Sequence, residues 1–198
     1  MKISKSARGQ LLLDARRIVV VGAPGSGKST MARHLHSILH RPLYHLDDIY
    51  WLPGWRRVSV ETFSSMQREI AALDEWIIDG NHFDTLPIRL VRADAVCIMN
   101  VPTIVALGGF MSRACCRLIG DTSSLPRAIR GDMGRTRGWS FDSKVLKTLL
   151  LFRRVMFPKI IDLVASDPSH RAVAVVDSWQ DGKRLIEEVT FLRRGEQP

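Results

Sequence analysis

The chain has 198 residues, of which 45% are hydrophobic, 25% charged and 7% aromatic, the mix of a water-soluble globular domain that builds its core without disulfide or metal staples. Disordered, collagenous and small disulfide-scaffold classes are excluded. The formal net charge of +9 calls for phosphate, nucleic acid or another anionic partner, and it is concentrated, since residues 111–160 hold eleven basic side chains against three acidic ones.

Residues 1–15 form an amphipathic prefix, either a packing arm or a disordered extension. Arg17-Ile-Val-Val-Val21 is a β-branched run bounded by charge before it and Gly22 after it, the pattern of a strand buried on both faces of a parallel sheet. Thr30 to His40 reads as a helix with Met31, Leu35, Ile38 and Leu39 on one stripe and Pro42 closing it. Leu43 to Leu46 is a second short strand leading into Asp47 and Asp48. Glu61 to Leu73 is helical by spacing and feeds Trp76-Ile-Ile78, a third strand ending at Asp79.

After a short helical stretch around Leu86 to Val91, Ala95 to Val101 supplies a fourth strand, and Pro102 starts a helix running to about Leu118. Between Ile119 and Phe141 the periodicity lapses into a basic, glycine-containing insert. Helix resumes from Ser143 to about Ala165, Arg171 to Val176 makes a fifth strand, and Asp181 to Leu192 a final amphipathic helix. Such alternation predicts one α/β domain over residues 1–198, a parallel sheet wrapped by helices. The best apolar stretch, Val101 to Met111, is far short of the ~20 residues of a membrane helix. Cys97, Cys115 and Cys116 lack paired metal-ligand spacing and read as reduced, buried thiols of a cytoplasmic protein.

Gly22-Ala23-Pro24-Gly25-Ser26-Gly27-Lys28-Ser29 satisfies G-x-x-x-x-G-K-[ST] between a predicted strand and a predicted helix that opens at Thr30. Glycines let the backbone curl so that several N–H groups face phosphate oxygens, and the helix N-terminus adds partial positive charge. Lys28 then reaches the β- and γ-phosphates and Ser29 ligates Mg²⁺. A phosphate loop identifies a nucleoside triphosphate, not a reaction. The chain contains no N-K-x-D guanine motif and no L-S-G-G-Q signature, which leaves a small phosphotransferase as the best remaining class.

Further motifs are His45-Leu46-Asp47-Asp48, Trp51-x-Pro53-Gly54-Trp55, Trp76-Ile-Ile-Asp79-Gly80-Asn81 and Arg89-x-x-Arg92-Ala93-Asp94. With the phosphate loop they make the chain similar to the adenylate-kinase-like P-loop proteins of the DNA topology modulation (FlaR-type) family. The resemblance implies the nucleoside-monophosphate-kinase arrangement: a three-layer sandwich whose parallel sheet runs 2-3-1-4-5, with a lid inserted after strand four, here residues 119–141. It also implies ATP as donor and places Asp-Gly at Asp79-Gly80, where Asp79 would hold Mg²⁺ opposite Ser29. Similar sequences tend to carry a carboxylate near the end of strand four, where this chain has Asn100.

Asp47 and Asp48 follow strand two at the carboxyl edge of the sheet, where open α/β folds bind ligands. A carboxylate base assists a hydroxyl acceptor and gives a phosphate acceptor nothing, so either acid orients an acceptor hydroxyl or completes the Mg²⁺ shell, with Asp47 the catalytic candidate and both candidate substrate contacts; the alternative is capping of the next helix, nearer for Asp48 than for Asp47. Trp51 and Trp55 sandwich a planar group or pin their loop to the core. Arg89 joins them as a candidate substrate contact, while His82 and Asn81 are weaker candidates. By analogy with adenylate kinases, Arg113 stacks on the donor base and Arg117 touches phosphate. Arg127, Arg130, Arg135 and Arg137, with Arg153 and Arg154, either close over the transferring group or form a solvated basic loop. The reading is an ATP- and Mg²⁺-dependent kinase of a small metabolite or nucleotide, against two alternatives: a nucleic-acid-associated ATPase and a nucleotide-binding regulator.

Overall fold

The computed structural model describes residues 7–123, 125–130, 143–166 and 172–195. Five strands make one parallel sheet: β1 (Arg17–Gly22), β2 (Leu43–His45), β5 (Trp76–Asp79), β6 (Ala95–Met99) and β7 (Ala172–Val176), in spatial order β2-β5-β1-β6-β7. Taken in chain order, that is 2-3-1-4-5. Ile18 to Val21, Ile77, Ile78 and Val96 to Ile98 are wholly buried, because helices cover both faces and leave no side of these strands to water. The edge strand β2 is only half-buried along its length.

The helices are α1 (Arg8–Asp14), α2 (Lys28–Leu39), α3 (Leu46–Tyr50), α4 (Val60–Ala72), α5 (Leu86–Leu90), α6 (Thr103–Leu118), α7 (Ser143–Leu151), α8 (Phe157–Ala165) and α9 (Trp179–Arg194). Ser59 caps α4 by accepting from the Thr62 N–H, and Ser178 caps α9 by accepting from the Asp181 N–H, each satisfying an N–H that the helix leaves free. No described helix is long and apolar enough to cross a membrane.

Of the two alternatives for the prefix, residues 8–14 take the packing arm, as a helix with Leu12 wholly buried. Two features differ from the sequence expectation. Trp51–Leu52 (β3) and Arg56–Arg57 (β4) pair antiparallel as a small hairpin around Gly54, whose φ of 75° suits a residue without Cβ. The predicted helix from Ser143 to Ala165 contains a π-turn at Phe152–Met156 between α7 and α8. Phe152 points wholly into the core and meets Phe83 with ring centroids 6.4 Å apart. Phe152→Ala should cost about 3–5 kcal/mol, read as a fall of roughly 6–20 °C in thermal midpoint for a chain of this length.

Candidate active site

The loop from Gly22 to Gly27 lies at the carboxyl end of β1, the central strand. Gly25 and Gly27 adopt φ of 83° and 92°, conformations glycine reaches without strain. A Cβ at Gly25 would lie 2.0 Å from the Ala106 carbonyl oxygen, so the loop is pressed directly against α6. Asn81 Oδ1 accepts from the Gly22 N–H at 3.1 Å and ties the loop to the end of β5. Gly27 precedes α2, which puts Lys28, Ser29 and Thr30 in its first turn, with N–H groups free for an anion.

A cleft of about 480 Å³ opens over this loop. Its floor includes Gly25, Gly27, Lys28, Ser29 and Thr30; His45, Asp47, Asp48 and Asp79 form one wall, and Gly109, Arg113, Cys116 and Trp179 another. Ser123, Leu125, Pro126 and Arg130 roof it from the described start of the insert. Ala23, Pro24 and Ser26 shape the loop without lining the cleft.

Asp79 ends β5 and is 4% exposed. Parallel register sets His45 directly beside it, and His45 Nδ1–H donates to Asp79 Oδ2 at 2.8 Å. Asp79 Oδ1 is buried without a hydrogen-bond partner. Burial alone would raise this carboxyl; the Lys28 ammonium, His45 and the Ser29 hydroxyl outweigh it and hold the acid below its ordinary range. A buried, ionised oxygen with an unused lone pair beside Ser29 is the donor set a magnesium site needs. Among the described residues no cluster of three or more His, Cys, Asp or Glu side chains could hold a metal by itself.

Asp47 lies in the first turn of α3 with its side chain half exposed to the cleft. His82 Nε2 is 3.2 Å from Asp47 Oδ1, and the His82 ring is gripped by Tyr50 and Phe63 at centroid distances of 4.6 and 4.7 Å. Desolvation raises the Asp47 carboxyl, but the His82 bond and the Lys28 charge bring it below the ordinary value. The cleft thus holds two ionised carboxylates, one sealed against the loop and one facing open space.

Asp48 accepts from the Arg127 N–H at 2.8 Å, with Arg127 Nε 3.6 Å from its other oxygen. The tryptophan loop takes the pinning role: Trp51 and Trp55 meet edge to face at 5.5 Å and pack with buried Leu125 and Ile129. Neither tryptophan lines the cleft. Arg89 does not line it either, being wholly buried, with its guanidinium on Gln67 Oε1 and on the Gly80 and Asn81 carbonyls. That arginine fixes the backbone just beyond Asp79.

Arg113 lines the cleft with Asp79 and Asp47 as its charged neighbours; burial lowers its pKa and the two acids oppose that. Arg117 is outside the lining, and burial and then the Arg113 charge lower its pKa. Arg130 reaches the roof with its guanidinium on the Leu125 and Ser123 carbonyls at 3.0 and 3.2 Å. Arg135 and Arg137 lie outside the described residues, and Arg153 and Arg154 are exposed on the π-turn, off the cleft. Asn100, at the end of β6, donates to Asp177 Oδ1 at 3.4 Å. Of the cysteines only Cys97 is buried, its thiol pushed up to about 12 by desolvation; Cys115 is exposed.

Among the lining residues without a functional assignment from sequence are His45 and Trp179. His45 was visible only as part of the His-Leu-Asp-Asp motif. Trp179 follows the fifth strand by three residues, and its Nε1–H donates to the Ser26 carbonyl at 3.1 Å.

No family model matches the chain, and no curated protein matches it. Among solved structures, a shikimate kinase from Acinetobacter baumannii in complex with shikimate aligns at a TM-score of 0.54 and 14% identity, over 94% of this chain and 97% of that one. A sugar kinase from Janibacter sp. HTCC2649 aligns at 0.48 and 15%, over 92% and 96%. A gluconokinase from Sinorhizobium meliloti 1021 aligns at 0.47 and 13%, over 90% and 91%. The first likeness shows the fold alone: an α/β sandwich on a five-stranded parallel sheet with the strand order of the nucleoside-monophosphate kinases.

Proposed function

We propose that the chain is an ATP- and Mg²⁺-dependent phosphotransferase acting on a small, hydroxyl-bearing acceptor. One observation carries the reading: two ionised carboxylates in contrasting settings, Asp79 and Asp47, share one cleft with Lys28 and Ser29. A nucleotide hydrolase needs the first of these. A base facing an acceptor hydroxyl is the added requirement of a kinase.

The backbone N–H groups of the loop and the first turn of α2 hold the β- and γ-phosphates, and Lys28 places a cation between them. Ser29 and Asp79 would hold Mg²⁺, which when bound neutralises charge on the phosphate oxygens. Asp47 orients the acceptor hydroxyl and takes its proton, while His82 keeps that carboxylate aimed into the cleft. Arg113, with its acidic neighbours, is assigned to the transferring phosphoryl group rather than to the donor base. Arg130 joins it from the roof, and Arg117, Arg135 and Arg137 are assigned by the family resemblance to the same charge. Asp48 organises the root of the lid through Arg127.

Of the residues by which the chain resembles the FlaR-type family, those of the phosphate loop with His45, Asp47, Asp48 and Asp79 share this cleft, while Asp94 is spent on Arg17 at the amino end of β1; the enzyme is proposed to be cytoplasmic. The shikimate kinase of like fold is in complex with shikimate, a hydroxyl-bearing small molecule, in keeping with Asp47. The test is ATP consumption with Mg²⁺ against a panel of hydroxylated metabolites, nucleosides and nucleoside monophosphates. Strong stimulation by one hydroxyl-bearing acceptor is expected; tight nucleotide binding with no stimulation contradicts the reading and favours a regulator or a nucleic-acid-dependent ATPase. Asp79→Asn should raise the Mg²⁺ concentration for half-maximal turnover by at least about tenfold, since second-shell changes at metal sites already cost that much. A magnesium titration of the variant checks this.

A further inference from the structure

The helix α1 is fastened to the edge of the molecule behind the cleft by contacts far apart in sequence. Arg8, 5% exposed, donates to both Asp181 carboxylate oxygens at 2.7 and 3.0 Å and to the Val175 carbonyl. The Gly9 N–H donates to Glu188 Oε1 at 3.2 Å, and a Cβ on Gly9 would fall 2.5 Å from Glu188 Cγ. At the other end of α1, Arg41 donates to the Leu12 and Leu13 carbonyls at 3.2 and 2.7 Å.

Asp181 passes this anchoring on. Its Oδ2 accepts from the Asp177 N–H at 3.1 Å, and its own N–H is held by Ser178 Oγ at 3.0 Å. The turn 177–181 is therefore closed on itself and clamped from outside by Arg8. Trp179 stands inside that turn. Its indole donates to the Ser26 carbonyl and lies 3.3 Å from where a Cβ on Gly109 would be, and the residue, which lines the cleft, stays 48% exposed. A large aromatic face held open over the phosphate loop has no core to fill, and its shape suits a planar ring stacked upon it.

We propose that Arg8 is a positioning residue for the donor nucleotide: acting through Asp181, it sets the Trp179 indole as the wall against which the nucleotide base rests. The arm formed by α1 thereby tunes donor affinity without touching the nucleotide. This inference rests on the reading of the cleft as a nucleotide site.

Calorimetric titration of ATP and of inorganic tripolyphosphate, both with Mg²⁺, separates the two. Tripolyphosphate fills the phosphate loop and has no base for Trp179. R8Q should weaken ATP about tenfold, within the usual range of coupling between contacting groups, and leave tripolyphosphate unchanged. R8K should recover part of the loss, W179A should weaken ATP at least as much as R8Q, and R8Q/W179A should be no weaker than W179A alone. ATP affinity of R8Q equal to wild type, equal weakening of ATP and tripolyphosphate, or additive losses in the double variant would overturn the proposal. Where R8Q does not fold, R8K and R8K/W179A carry the same cycle with the charge retained. Failure of the wild-type protein to bind ATP is a distinct result, which overturns the nucleotide reading itself.

Discussion

Lys28→Ala should reduce acceptor-dependent turnover by about a thousandfold or more while leaving the thermal midpoint near that of the wild type. The magnitude follows from two losses at one atom. A preorganised charge aimed at a transferring phosphoryl group is worth about 10²–10³ in rate even as a single donor, and Lys28 is also the leading charge that keeps buried Asp79 ionised. Without it, desolvation acts on Asp79 with less opposition and its pKa rises. The acid limb of the residual activity should therefore move to higher pH in the variant. A pH-rate profile of Lys28→Ala against the wild type reads both effects; an unshifted limb would mean that Asp79 does not depend on Lys28.

Asp47→Asn is expected to lower kcat by about 10²–10⁴, the usual worth of a positioned base, with ATP affinity unchanged or improved because one negative charge leaves the cleft. The sign of the pH dependence is set by the lowered pKa of the acid. A base must be deprotonated to work, and this one stays deprotonated until the pH falls below its reduced value. The wild-type acceptor-dependent rate should thus show no loss attributable to Asp47 above about pH 4, the ordinary range of an aspartate. His82→Phe removes the bond to Asp47 while keeping a ring between Tyr50 and Phe63, and should shift that limb upward. Retention of full kcat in Asp47→Asn would remove Asp47 from the chemistry.

The order of strands and helices was legible because its signals are local: β-branched runs at Ile18 to Val21 and Val96 to Ile98, and a four-residue apolar spacing along α2 and α4. The phosphate loop and Asp79 were legible for the same reason, each standing at the end of a strand. What escaped depends on pairings between distant segments. His45 meets Asp79 only through the register of β2 on β5, which neither sequence states alone. Trp51 and Trp55 find their partners in Leu125 and Ile129, across a gap no helical or strand period spans, so an aromatic pair beside two acids looked equally like a ligand clamp. Arg89 sits on the inward face of a five-residue helix, too short for periodicity to reveal that its charge is spent on the Gly80 and Asn81 carbonyls. The exposed Cys115 sits beside Cys116 on the helix that lines the cleft, where cysteine composition alone suggested burial.

These pairings also explain the division of labour in the site. In the proposed mechanism buried Asp79, with His45 beside it and Arg89 under the backbone that follows, fixes the phosphate end, where an error in placement is most costly. In the same proposal Asp47 meets the acceptor, while Asp48 and Arg130 stand at the described start of the insert. Arg127 on Asp48 and the Trp51–Leu125 packing tie that segment to the acceptor side of the cleft.

The central claim is transfer of a phosphoryl group to a hydroxyl rather than to water. It is tested most directly by following γ-phosphate-labelled ATP in the presence of Mg²⁺ and the acceptor that most stimulates turnover, and measuring where the label goes. The account predicts label on the acceptor in step with ATP consumed, with the transfer lost in both Lys28→Ala and Asp47→Asn. Label recovered only as inorganic phosphate, unchanged in Asp47→Asn, would contradict it.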